Sequence, residues 1–211
     1  MKLILLGTAA GGGYPQWNCA CAVCELGRQR SICRSHASLA VSGTGSKWYL
    51  VNATPDVCSQ IGRHKELRPG PQPRETPVQG ILLTDAELDH TIGLLLLREG
   101  TPLTVYAPAA ALQALATSFP VRTMLENYAS HSWVEVTCGD VFYIDDGSVA
   151  VTAFATGNKK PRYADASCRE SVWTVGYRFE DRRSGGVAVY APAIEEWNAA
   201  LDSALRGADC I

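Results

Sequence analysis

The chain has 211 residues, 46% of them hydrophobic and 19% charged, with 19 basic against 21 acidic side chains. That length and apolar content suit one packed domain over residues 1–211 and exclude a disordered chain, and the near-neutral balance argues against a strongly basic nucleic-acid binder. The longest apolar runs are Leu3–Leu6, Ile81–Leu83 and Leu94–Leu97, far short of the roughly 18 residues a membrane span needs. The apolar stretch after Met1-Lys2 is too brief for a secretory signal, so no membrane is expected and the expected compartment is the cytoplasm.

In chain order, Lys2–Leu6 reads as a strand, followed by the glycine-rich Gly7–Gly13. That loop has no Gly-Lys-Ser/Thr and no placeable Gly-x-Gly-x-x-Gly, so it is read as a loop allowing close backbone approach rather than a phosphate cradle. Ser38–Val41 and Lys47–Asn52 resemble a hairpin. Thr54-Pro55-Asp56 reads as a helix start, with Thr54 as N-cap and Pro55 in the first turn, running to about Glu66. Arg68–Pro77 holds four prolines and is a loop. Gly80–Thr84 is a strand, Asp89–Glu99 a helix stopped by Gly100, and Leu103–Ala107 a strand. Helix follows from about Pro108 to Ser118, with another turn or two toward Tyr128. Trp133–Val136, Val141–Ile144, Val149–Phe154, Val172–Phe179 and Val187–Tyr190 are strand-like, and a last helix covers Ala193–Leu205. Ala208–Ile211 looks like the entrance to one more strand. Mixed strands and helices with a β-rich second half predict an α/β or α+β layered fold rather than a simple doubly wound sheet.

Two segments carry candidate chemistry. Cys19, Cys21 and Cys24 sit in a cysteine-rich loop over residues 18–36, and their spacing lets three thiolates converge on a structural Zn²⁺. Cys33, His36 or a distant residue would supply the fourth ligand. The scattered Cys58, Cys138, Cys168 and Cys210 are expected to be small buried residues. Asp85, Glu87, Asp89 and His90 place three carboxylates and an imidazole within six residues at a strand-to-helix junction. They suit a hard-metal or acid–base site, and equally a set of helix-capping carboxylates with a structural histidine; both readings stand on the residues alone. His36, His64 and His131 are read as surface or capping residues, and Lys159-Lys160-Pro161-Arg162 as a solvated run.

The segment from Leu6 to Cys21, with Pro15-Gln16-Trp17-Asn18-Cys19 at its centre, strongly resembles the opening of the coenzyme PQQ synthesis protein B (PqqB) family. Asn52-Ala53-Thr54-Pro55-Asp56, the run from Leu88 to Gly100, Tyr190-Ala191-Pro192 and Gly207-Ala208-Asp209-Cys210 are similar to it as well, in order along the chain. The resemblance implies a metallo-β-lactamase-like αββα sandwich. Ordinary members of that fold carry His-x-His-x-Asp-His after a strand. Here Asp85 and Glu87 stand at the first two positions while Asp89 and His90 match, a departure that itself fits the family.

What the resemblance implies for function is a step in pyrroloquinoline quinone (PQQ) biosynthesis: iron- and O₂-dependent hydroxylation of the tyrosine ring of a small cross-linked Glu–Tyr precursor. His90 and Asp89 would hold Fe²⁺, with Asp85 or Glu87 as a further ligand or proton acceptor. Carriage of PQQ or its precursor without catalysis is the alternative, and a remnant keeping only its structural zinc a third. The family continues beyond the position of Ile211, so the resemblance also implies a sandwich incomplete at its C-terminal end. An exposed edge, self-association or homo-oligomer formation, and doubtful activity are the corresponding expectations.

Overall fold

Alternation of side chains along the strands sorts this sequence into two facing sheets with separate cores. The structure is a computed structural model that describes residues 1–99, 101–164 and 172–211. The first sheet has the order β1-β2-β3-β4-β5-β6, from Lys2–Gly7, Ser38–Ser42, Trp48–Val51, Val78–Leu82, Thr104–Ala107 and Ser132–Glu135. β1, β2 and β3 pair antiparallel, and β3 through β6 pair parallel. The second sheet is antiparallel throughout, ordered β10-β9-β8-β7, from Val187–Tyr190, Thr174–Asp181, Val149–Gly157 and Val141–Ile144.

Leu39, Val41, Val51 and Leu82 of the first sheet meet Val149, Val151, Val175, Tyr177 and Phe179 of the second in one buried layer. On the other face of the first sheet, Trp48, Leu50, Ile81 and Val105 pack against the helices. Those helices are α2 (Val57–Arg63), α3 (Leu88–Thr91), α4 (Gly93–Leu96), α5 (Ala109–Ala116) and α6 (Val121–Leu125), while α1 (Ala22–Gln29) follows the cysteine loop. α7 (Ala199–Leu205) covers part of the second sheet through Leu201 and Ala204 against Phe154 and Val189. The layers therefore run helix, sheet, sheet, helix, the expected αββα sandwich. Among the described residues no helix is long and apolar enough to cross a membrane.

Several local expectations are corrected by hydrogen bonds, some local and some between distant segments. α2 starts at Val57, because the Thr54 hydroxyl is turned inward, donating to Gln60 Oε1 at 2.9 Å and accepting from the Asp56 amide at 3.2 Å. The single helix expected over Asp89–Glu99 is two short turns, α3 and α4. The Gly93 amide N–H donates across to the Ala53 carbonyl at 2.9 Å instead of continuing the helix. α7 begins only at Ala199, capped by the Asn198 side chain accepting from the Leu201 amide at 2.8 Å. Upstream, Glu195 is held in a different role, its amide donating to the Thr156 carbonyl at 3.0 Å. The closing residues do run beside a strand: Cys210 bridges Ala188 in parallel along β10.

The scattered cysteines are not a buried set. Cys58 lies on the solvent side of α2, Cys210 is exposed and Cys138 is half-buried. His131 is buried rather than superficial, its Nδ1 accepting from the Leu103 amide at 3.0 Å. His36 has an acidic partner that spacing did not show, with Nδ1 2.7 Å from Asp56 Oδ2. Cys168 and the Gly100 stop lie outside the described residues.

Gly93 is the tightest joint between helices and sheet: a Cβ there would stand 2.3 Å from the Thr54 carbonyl oxygen and 2.6 Å from that of Ala53. Gly93→Ala is expected to destabilise the fold by about 2 kcal/mol or more, the range for overpacking a closed interior site. Chemical denaturation checks this, and a variant as stable as the parent would contradict the packing.

Candidate active site and metal centre

The end of β4 is gripped from three directions before the chain turns into α3. Asn52 ends β3 in the left-handed region, φ 67°, a conformation that asparagine tolerates better than most residues. From there its fully buried side chain accepts from the Thr84 amide at 2.9 Å, with the Thr84 hydroxyl oxygen 3.1 Å away. The second sheet reaches the same point, with the Val175 amide donating to the Thr84 carbonyl at 2.8 Å and the Tyr177 hydroxyl to the Leu83 carbonyl at 2.7 Å. Asp85 thus emerges at the seam of the two sheets from a fixed strand end.

Asp85 is 2% exposed, and both carboxylate oxygens are committed. One accepts from the Glu87 amide at 2.9 Å, the other from the Thr84 hydroxyl at 2.9 Å, and both lie 2.8 Å from His90 Nδ1. This is one local knot: a carboxylate that accepts from the amide of Glu87, the residue before α3, and orients an imidazole five residues on. Burial works to raise the Asp85 carboxyl, but the His90 hydrogen bond and charge outweigh it and hold the group below its usual range. Burial likewise opposes charge on His90, yet Asp85, then Asp89 and Glu87, hold the imidazole above its ordinary value.

With Nδ1 turned to Asp85, His90 Nε2 lies 3.6 Å from Asp89 Oδ2. Both residues line a cavity of about 480 Å³ that also takes in Thr8, Ala9, Ala10 and Gly11 from the glycine-rich loop, Lys159, Thr174, Pro192 and Ala193. The loop does allow the close approach expected of it: a Cβ on Gly11 would stand 3.2 Å from Asp89 Oδ2. Of the four candidates, Asp89 and His90 present facing donor atoms, Asp85 stands behind the imidazole, and Glu87 pairs with Lys159 at 3.3 Å. Asp85 therefore has the geometry of a proton acceptor for His90 rather than of a direct ligand. The Asp89–His90 pair suits a divalent ion as two of its ligands, a hard oxygen and an imidazole nitrogen backed by a carboxylate. Among the described residues no third side chain converges with them as closely as the cysteines do with each other.

Cys19, Cys21 and Cys24 form the tighter cluster, their sulfurs within 4.8 Å of one another. Protein contacts help to shape the loop. Arg28 donates to the Gln16 carbonyl at 2.8 Å and the Cys19 carbonyl at 2.7 Å, and the Tyr14 hydroxyl donates to the Val23 carbonyl at 2.9 Å. Cys21 occupies the N-cap position of α1; the Cys24 backbone, then the Cys19 and Cys24 thiols, pull its thiol down to about 7. Three converging sulfurs, one acidified, fit zinc as three of its four ligands. Cys33 and His36, expected as sources of the fourth, do not join the cluster, since the His36 imidazole is turned to Asp56 and the Gly11 carbonyl.

Sequence reasoning missed Asn52 and Lys159 as parts of the site. Asn52 sits beside a proline and aspartate that read as helix-start signals, and only its positive φ exposes its role. Lys159 is solvated, as its run suggests, but it also lines the cavity, which the sequence does not show.

A two-sheet sandwich flanked by helices, with an Asp-His pair at the seam beyond one strand end, defines a domain of the beta-lactamase superfamily; the model described as Beta-lactamase superfamily domain matches residues 47–211. The chain belongs to the coenzyme PQQ synthesis protein B family. It is 36% identical to that protein from Stutzerimonas stutzeri over 218 residues, covering 100% of this chain and 72% of the relative. It is 37% identical to the one from Cupriavidus necator over 215 residues, covering 98% and 70%. A crystal structure of Zn(2+)-bound PqqB from Methylobacterium extorquens superposes with a TM-score of 0.85 at 32% identity, over 99% of this chain and 71% of that one. A diphosphatase from the PhnP family, at 21% identity and a TM-score of 0.71 over 98% of this chain and 71% of that one, shares the fold.

The purified chain is expected to carry one zinc that Cys21→Ala releases. In the metal-free protein, alkylation of Cys21 should rise with pH through a midpoint near 7, well below that of an ordinary thiol. Metal analysis and pH-dependent labelling check both; zinc retained by Cys21→Ala would place it elsewhere.

Proposed function

We propose that this chain acts in pyrroloquinoline quinone biosynthesis, as an iron-dependent enzyme that hydroxylates the tyrosine ring of a small cross-linked Glu–Tyr precursor with O₂. Membership of the coenzyme PQQ synthesis protein B family supports the pathway. The observation that carries the chemistry is the pair His90 Nε2 and Asp89 Oδ2, 3.6 Å apart on the wall of a cavity of about 480 Å³. Asp85 and Glu87 stand where hydrolytic relatives of the fold place histidines, and that favours a carboxylate-rich site for ferrous iron over a two-zinc hydrolase. The zinc of the fold then belongs to Cys19, Cys21 and Cys24, as a structural clamp on the loop leading back to the cavity wall.

In this reading the chain's own residues do four things. Asp89 and His90 hold the metal. Asp85 keeps the His90 proton on Nδ1 and leaves Nε2 free for the ion. Thr8–Gly11 and Pro192–Ala193 line the cavity, and Gly11, lacking a side chain, leaves room for the Asp89 carboxylate. A ferrous ion bound there would supply the capacity to activate O₂, with its remaining positions open to O₂ and substrate.

The test is mass spectrometry of the cross-linked Glu–Tyr compound incubated with Fe²⁺-loaded protein in air and under nitrogen. A gain of oxygen that requires air and disappears in His90→Ala is expected. Binding without any mass change would favour the carrier role, and neither binding nor change would defeat the proposal.

A further inference from the structure

A lysine at the rim of the cavity has no part in holding metal. Lys159 Nζ lies 3.3 Å from Glu87 Oε1, and both residues line the same cavity as Asp89 and His90. The backbone on either side of Lys159 is pinned. The Asn158 amide donates to the Glu195 carboxylate at 2.7 Å, and the Glu195 amide donates to the Thr156 carbonyl at 3.0 Å. Downstream, the Tyr163 hydroxyl donates to the Ala86 carbonyl, next to Glu87 itself.

The side chains at the end of this fixed frame are loosely held. The lysine side chain is 72% exposed and its glutamate partner 32%, so the pair is screened by water and contributes little to stability. Its partner is therefore cheap to exchange. Asp85, by contrast, is fully engaged with His90, Thr84 and Glu87, and Asp89 faces Nε2. Among the described residues, then, Lys159 is the cavity cation whose partner a ligand can replace without dismantling the buried knot. The glycine-rich loop adds donors on another wall: the Ala10 and Gly11 amides donate to no acceptor among the described residues. An ammonium on a pinned backbone, with an exchangeable partner and nearby spare amides, can receive a carboxylate.

We propose that Lys159 is a substrate-positioning residue that binds a carboxylate of the ligand in place of Glu87 and so sets the ligand against Asp89 and His90. The class of ligand is a small carboxylic acid; only its identity as the cross-linked Glu–Tyr acid rests on the function proposed above. Glu87 acts as the resident competitor, holding Lys159 in place until the ligand arrives.

Calorimetric titration of the intact zinc-bearing chain tests this without turnover, using the Glu–Tyr acid, its fully esterified form and glutarate. Lys159→Met is expected to weaken both acids about tenfold, leave the ester unchanged and keep the parent melting temperature; Lys159→Arg should retain most of the affinity. Glu87→Gln should tighten acid binding, because the competitor is neutral. Acid binding unchanged in Lys159→Met, an equal loss for acid and ester, or no binding of either acid to the parent chain would overturn the proposal. Lys159-dependent binding of glutarate with none of the Glu–Tyr acid would leave Lys159 in its role and refute the substrate reading instead.

Discussion

The site depends on a buried carboxylate–imidazole pair. Asp85 and His90 are both nearly inaccessible, and the Asp85 carboxylate stands at a position where charge alone is costly. The cost is offset because the Asp85 oxygens also take the Glu87 amide and the Thr84 hydroxyl. Breaking such a pair from one side typically costs about 3–5 kcal/mol, since the partner is left buried and uncompensated. The same pair aims Nε2 at the cavity, so fold stability and metal readiness reside in one interaction.

That pair can form only where the two sheets meet. Thr84 is held by Asn52 from the first sheet and by the Val175 amide from the second, while Tyr177 secures Leu83 and Tyr163 secures Ala86. The strand end that carries the chemistry is therefore braced by residues spread from Asn52 to Tyr177. The chain also keeps its two donor chemistries apart. Soft sulfurs sit together on the loop before α1, and oxygen and nitrogen donors sit together in the cavity, an arrangement that lets two different metals be sorted by ligand type. The His36 imidazole, bonded to Asp56 and facing the Gly11 carbonyl, links the region after the cysteine loop to the cavity wall.

Much of this was readable from sequence because it follows local periodicity. Ile81–Leu83, Val149–Phe154 and Val172–Phe179 alternate or run apolar as buried strands do, and each lies in or against a strand of the structure. The Asp-x-Glu-x-Asp-His segment and the three cysteines stood out as candidates by residue chemistry, but for the first segment that chemistry left helix capping equally open. What was hidden depends on contacts between distant segments. The break between α3 and α4 comes from the Gly93 amide reaching Ala53, and the late start of α7 from Glu195 bonding back to the end of β8. Neither leaves a local signature. Cys58 and Cys210 misled because cysteine is usually buried, whereas here one faces outward from α2 and the other lies exposed beside β10.

The central claim is that Asp85 fixes the His90 tautomer so that Nε2, and not Nδ1, meets the metal. The most direct measurement is nitrogen NMR of histidine-labelled protein, with the cysteine site already filled, during titration with a diamagnetic divalent ion. The account predicts that His90 Nδ1 keeps its proton throughout while the Nε2 resonance moves with added ion. A shift that falls on Nδ1, or a His90 ring that takes no notice of the ion, would contradict it.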